Sequence, residues 1–266
     1  STLFPYTTLF RSISFSVSNY LFDWENSKVD KQFFIDRFNS LKPLTDWAGK
    51  STYQIRDEIF GAFQTKRYAH LECKDATHFI WLDTDIVFKD TALYYATSAY
   101  QMIKNEGLDM FVVTPQFVKQ WDNTWDIVAN KKYWNYPINY HLDCNIYEEG
   151  LPQIEEVNVT QIGGFKFAGG WFTLISKSLL DKVGIPESFG HYGLEDTYVV
   201  FCSQIMRQRG EQVFQFGLKN VIAGEIHKAR TNQTIKSFIK SKDRKEEFRK
   251  IAEANFNLEL NKFNNT

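Results

Sequence analysis

Cysteine, net charge and long apolar runs are all scarce in this chain, and each scarcity closes off a class of protein. The 266 residues include three cysteines, Cys73, Cys144 and Cys202, widely spaced and in no paired motif. That pattern fits free thiols in a reducing compartment rather than a disulfide framework. Lysine and arginine number 31 against 32 aspartates and glutamates, leaving a formal charge of −1. A nucleic-acid partner is therefore not expected, because it would leave a basic surplus. No apolar run reaches the length of a bilayer span, so no transmembrane segment is expected and the chain reads as soluble. An initiating methionine is also missing, and residues 2–12 read as the translation of a sequencing-library adaptor. Residues 1–12 are therefore set apart as one would a fusion scar, and the natural N-terminus is expected to be absent.

Aromatic residues, by contrast, are plentiful at 17%, enough for a sizeable core and for surfaces that stack on sugar rings. The organising stretch is Phe79-Ile80-Trp81-Leu82-Asp83-Thr84-Asp85-Ile86-Val87-Phe88. A strand-like run stops at two carboxylates one residue apart and then resumes. Burying them without partners would cost several kcal/mol each, so they belong where a strand leaves its sheet. In open α/β sheets that edge is where ligands bind. Two hard oxygen donors so placed suit a divalent cation that keeps part of its shell for phosphate.

Around this stretch, helical and strand patterns alternate. Ile13 to Phe22 reads as a strand, Asp30 to Leu41 and Thr52 to Tyr68 as helices, Asp90 to Asn105 as a helix stopped by Gly107. Asp109 to Thr114 reads as a strand ended by Pro115. The alternation predicts an α/β fold with a mixed, mainly parallel sheet and helices on both faces. From Phe117 to Gly150 the periodicity fails, and Trp121, Trp125, Tyr133, Trp134, Tyr136 and Tyr140 crowd together. They suit either an acceptor-binding loop or a helical excursion packed into the core.

The second half adds Gly169-Gly170-Trp171 before a strand, then a short helix from Lys177 to Val183. Next comes a flexible glycine loop, Gly184 to Asp196, that opens a helix over Thr197 to Arg209 and so puts Glu195 and Asp196 at a helix N-terminus. A carboxylate there gains from the helix dipole, but capping accounts for only one of the two acids. Val213 to Phe216 reads as an edge strand. After a further apolar run, His227 is a candidate metal ligand, and Lys228 and Arg230 are candidate partners for phosphate. Residues 231–266 read as a solvated C-terminal helical tail.

In this order, Asp83-Thr84-Asp85, Gly169-Gly170-Trp171, Gly184-Ile185-Pro186-Glu187 and Gly193-Leu194-Glu195-Asp196 resemble GT-A fold glycosyltransferases of the family 2 type. The likeness is greatest to bacterial chondroitin-polymerase-like and galactosyltransferase-like domains. It spans roughly Tyr53 to Arg230 and implies one GT-A domain over 13–230, its opening strand missing or partial. The resemblance implies that Asp85, joined by His227, holds Mn²⁺ or Mg²⁺ on a nucleotide-sugar donor, most simply a UDP-sugar, while Asp83 contacts the donor ribose or completes the metal site through the metal's water. Arg56 would face the nucleotide, and Gly169, Gly170 and Trp171 would line the sugar site. Glu195 would contact acceptor or donor, and Asp196 would be the base that deprotonates a glycan acceptor hydroxyl. An inverting hexosyl- or N-acetylhexosaminyltransferase of bacterial surface-polysaccharide synthesis follows, cytoplasmic, with room for peripheral association at the inner face of the membrane. Processive synthases carry Gln-x-x-Arg-Trp, which Gln204-Ile205-Met206-Arg207-Gln208 lacks, so transfer of single sugars is expected. A sugar nucleotidyltransferase and a non-catalytic glycan-binding module are the alternatives.

Overall fold

A computed structural model describes residues 13–16, 36, 39, 51–54, 62–83, 86–88, 92–121, 159–163, 170, 172–191, 193–226 and 242–266. Chain contacts divide it into two compact units. One comprises Thr77–Ile185, Glu195–Asn232 and Leu260–Thr266, and the other Ser1–Ala76, Pro186–Leu194 and Gln233–Glu259.

The first unit is built on a six-stranded sheet. Its strands are β3 (His78–Leu82), β4 (Ile86–Phe88), β5 (Met110–Trp121), β6 (Val159–Ile162), β7 (Phe172–Ser176) and β8 (Val213–Ile226). They lie in the order β3-β7-β5-β8-β4, with β6 also paired to β8. The α/β class and the mixed sheet are as expected. The mainly parallel character is not: among the described pairs of this sheet only β5 with β8 is parallel. Strands β3, β5 and β8 run one way and β4, β6 and β7 the other. The helix–strand alternation does give β3 and β5 the same direction, but β7 runs antiparallel between them and separates the pair.

Helices cover both faces of this sheet. On one, Tyr95, Ala96, Ala99 and Ile103 of α2 (Ala92–Asn105) pack with Phe111, Val113, Phe172, Leu174, Phe216 and Leu218. Strand alternation turns Val112, Ile175 and Gln215 to the other face, yet none is more than 1% exposed. There α3 (Lys177–Val183) contacts β5 and β7, and α4 (Glu195–Gln208) contacts β8. A strand covered on both sides is buried throughout, and all five residues of β7, Thr173 and Ser176 included, are buried. Gly107 stops α2 as expected. At φ 80° it returns its N–H to Lys104 O, while Leu108 N–H reaches Ile103 O, the paired bonds of a Schellman cap.

Two strand assignments change. Pro115 does not end β5, which continues to Trp121 with Pro115 opposite Leu218. A register shift follows at once, and proline, with no N–H to give the ladder, is tolerated at such irregularities. Val213 to Phe216 is not an edge strand. It opens the 14-residue β8, which has β5 along one side and β6 and β4 along the other.

The second unit contains β1 (Ile13–Ser16), β2 (Ser51–Gln54), α1 (Ala62–Glu72), a 3-10 turn (Glu187–Phe189) and most of α5 (Lys242–Asn264). Thr52–Gln54, expected as the start of a helix, are instead part of strand β2, which pairs in parallel with β1. Its threonine and tyrosine favour the pleat, and the helix begins only at Ala62. Of the helix expected over 30–41, Asp36 and Asn39 are described, both helical and exposed.

Phe189, fully buried, is the centre of this unit. Its ring lies 6.1 Å from Phe63 of α1 and 6.1 Å from Phe256 of α5. Polar ties flank it: Asn255 donates to Ser188 O at 2.9 Å, Ser188 Oγ meets Glu259 at 2.9 Å, and His191 Nδ1 meets Gln64 Oε1 at 2.9 Å. The flexible glycine loop expected here is thus held along Glu187–His191. Helix α5 buries Phe248 and Ala252, so the tail is not a wholly solvated helix.

Candidate functional site

The site is assembled where β3 ends and β7 begins. The two strands are antiparallel, and their last pair is Leu82 with Phe172. Asp83 follows Leu82, and Gly170 precedes Phe172 by two residues. Both therefore lie just beyond the same pair, at one edge of the sheet. Asp83 is exposed there and Gly170 is buried.

Helix α4 brings the acids to this edge. Its first two residues are Glu195 and Asp196. The Gly170 N–H donates to Asp196 Oδ2 at 2.9 Å. The other oxygen, Oδ1, accepts from Thr197 N–H at 2.6 Å and Thr197 Oγ at 3.2 Å. The half-buried Asp196 carboxylate is thus held on both oxygens, at the helix end where a negative charge is favoured. Glu195 is 5% exposed, which is rare for a carboxylate.

The step into α4 is strained. Gly193 has φ 97° and Leu194 φ 69°, and a branched non-glycine residue seldom adopts that conformation. Such outliers cost about 1–3 kcal/mol and gather at functional sites. Leu194 enters the sequence reading only as a member of the Gly193-Leu194-Glu195-Asp196 motif, with no sign of its backbone conformation. Thr197 is not among the sequence candidates, and a hydroxyl residue directly after an acid at a helix start is only a weak signal.

Of the remaining sequence candidates, Arg56, Asp85, Gly169, Trp171, His227, Lys228 and Arg230 lie outside the described residues, as do Trp125, Tyr133, Trp134, Tyr136 and Tyr140. Among the described residues no group of three or more His, Cys, Asp or Glu could hold a metal ion. The described donor at this edge is Asp83, a hard oxygen ligand of the kind Mn²⁺ and Mg²⁺ take. Strands β4 and β8 pair through Ile86 and Glu225. Asp85 directly precedes Ile86, and His227 comes two residues after Glu225. The donor chemistry fits such an ion. Among the described residues no helix is long and apolar enough to cross a membrane.

No protein-family model matches the sequence, and no curated protein matches it. Among solved structures, the chain is similar to "GalNAc-T7 with UDP, GalNAc and Mn2+", with TM-score 0.48 and 11% identity. The match covers 84% of this chain and 39% of that one, so this chain spans well under half the length of that protein.

Proposed function

We propose that the chain is a metal-dependent, inverting glycosyltransferase that moves a single sugar from a nucleotide diphosphate, most simply a UDP-sugar, to a glycan hydroxyl. The observation that carries this reading is the 2.9 Å bond from the Gly170 amide to Asp196 Oδ2, made at the edge where β3 delivers Asp83. It ties Gly170 to Asp196, far apart in sequence, and orients a carboxylate, while the Leu82–Phe172 pair brings Gly170 to the strand end that leads into Asp83.

Bound at Asp83 and Asp85, with His227, the cation would offset charge developing on the leaving diphosphate. Lys228 and Arg230 would add cations toward the same phosphates, and Arg56 would face the nucleotide. Gly170, with Gly169 and Trp171, would form the wall against which the donor sugar lies. Asp196 would take the proton from the acceptor hydroxyl as its oxygen bonds to the anomeric carbon. The bond from that carbon to the diphosphate oxygen breaks on the opposite face, which inverts the centre. Glu195 would accept a hydroxyl hydrogen bond from acceptor or donor. A role in bacterial surface-polysaccharide assembly on the cytoplasmic side, with peripheral membrane association, is part of the same proposal.

The test is nucleotide release from a panel of UDP-, GDP- and CMP-sugars with Mn²⁺, beside Asp83→Asn and Asp196→Asn. Slow metal-dependent release of nucleoside diphosphate from one donor is expected. Asp83→Asn should weaken metal dependence. Asp196→Asn should lower transfer about 10²–10⁴-fold, the range for loss of a general base. Release of pyrophosphate instead, or turnover untouched by Asp196→Asn, would overturn the reading.

A further inference from the structure

The last turn of α5 docks on the helix that carries the acid pair. Tyr198, two residues beyond Asp196, is 3% exposed, and its ring meets Phe263 edge-on with centroids 6.5 Å apart. The Arg209 guanidinium lies 5.7 Å from the centre of the same Phe263 ring. Arg209 Nη2 also donates to Phe263 O at 3.0 Å and to Asn264 O at 2.5 Å. Carbonyls of a helix's last turn are the ones left without i+4 N–H partners, and a cation there is favoured by the dipole.

Tyr198, Cys202 and Arg209 fall at i, i+4 and i+11, on one stripe of α4 and the residue just past its end. Cys202 between them is fully buried. Burial pushes its thiol up to about 12, against the opposing pull of a Tyr198 hydrogen bond and the Arg209 charge. Phe263 thus meets both ends of this stripe, the Tyr198 ring and the Arg209 guanidinium.

We propose that Phe263 and Arg209 are positioning residues: by docking the end of α5 on the Tyr198–Arg209 stripe they fix the first turn of α4, and with it the Asp196 carboxylate against the Gly170 amide. The inference rests on the function proposed above for its kinetic consequence, though not for its structural one. Phe263 acts through Tyr198, whose backbone is part of the same helical turn as Asp196. Arg209 acts through Phe263, which it holds by the ring face and by the carbonyl.

The test uses the full chain and the variants Phe263→Ala, Phe263→Leu, Arg209→Gln and Arg209→Lys. The first readout is amide hydrogen exchange. Thr197–Val200 should exchange about tenfold or more faster in Phe263→Ala and Arg209→Gln, while the amides of Phe172–Ser176 keep their protection. Equal loss of protection at both places, or none at Thr197–Val200, would overturn the proposal. The second readout is kinetic: kcat should fall about tenfold with donor KM unchanged, since misplacing a base costs turnover rather than binding. Phe263→Leu and Arg209→Lys should recover part of it. A rise in KM at unchanged kcat would also overturn it. A wild-type chain silent toward every donor would count against the transferase reading, and the exchange data would still decide the positioning claim.

Discussion

His78 is a residue whose chemistry folding changes strongly. Its ring lies 4.4 Å from that of Tyr100, and Nδ1 shares a 2.9 Å hydrogen bond with Thr77 Oγ. Burial lowers its pKa from 6.5 to about 4, because an imidazolium there would lose its water. The unfolded chain still takes up a proton below pH 6.5. Stability is therefore full above that pH and falls as the pH drops toward 4, by up to about 3 kcal/mol. Urea unfolding at pH 7 and pH 4.5 should show this fall, and His78→Phe should remove most of it. An equal pH dependence in the variant would refute the assignment. At this scale the sequence was informative wherever a residue's role follows from its neighbours along the chain. Glu195 and Asp196 could be put at a helix start from the glycine loop before them. The partner of Asp196 could not be read, because Gly170 is 26 positions away and a backbone amide has no sequence signature.

Among the elements, the turn around Phe189 is the one whose loss should be felt most sharply. Phe189→Ala would empty a fully buried aromatic site that touches Phe63 and Phe256, at a cost of about 3–5 kcal/mol. Thermal unfolding should register it. Phe63→Leu and Phe189→Leu should be non-additive in a double-mutant cycle, since the rings are in contact; simple additivity would sink the contact. Element boundaries were legible where composition and packing agree. Gly107 ends α2 and Lys177–Val183 is a helix, both as local signals require. They failed where a tertiary partner decided. Ser51–Gln54 has a helix-compatible apolar pattern downstream but pairs with Ile13–Ser16, and Pro115 stays in its strand because Leu218 lies opposite.

Across the whole molecule, most of the sheet is stitched from distant segments. Met110 pairs with Val213 and His78 with Ser176, so each ladder closes a loop of roughly a hundred residues before it gains anything. Refolding from urea should therefore be slow, on a scale of milliseconds to seconds or longer. Stopped-flow fluorescence of the buried Trp81 offers the measurement, and completion within microseconds would contradict this topology. The alternation of helix and strand conveyed the class of fold because local pattern determines it. It could not convey strand order, which depends on pairings that no local pattern records.

Strand β8 changes its footing halfway along. Its partners on β5 jump from Leu218, opposite Pro115, to Ile222, opposite Gln116. Before the jump, Phe214, Phe216 and Leu218 face the α2 side; after it, Val221 and Ala223 do. The inward set has passed from even positions to odd. The same skip parts the strand's other edge, Gln215–Leu218 going to β6 and Ala223–Glu225 to β4. The bulge thus behaves as a phase shifter: it lets one strand serve two partners in different frames. Deleting a single residue at 219 or 220 would not merely shorten a strand. It would put everything from Val221 to Ile226, and the segment bearing His227, out of step with the rest of the sheet.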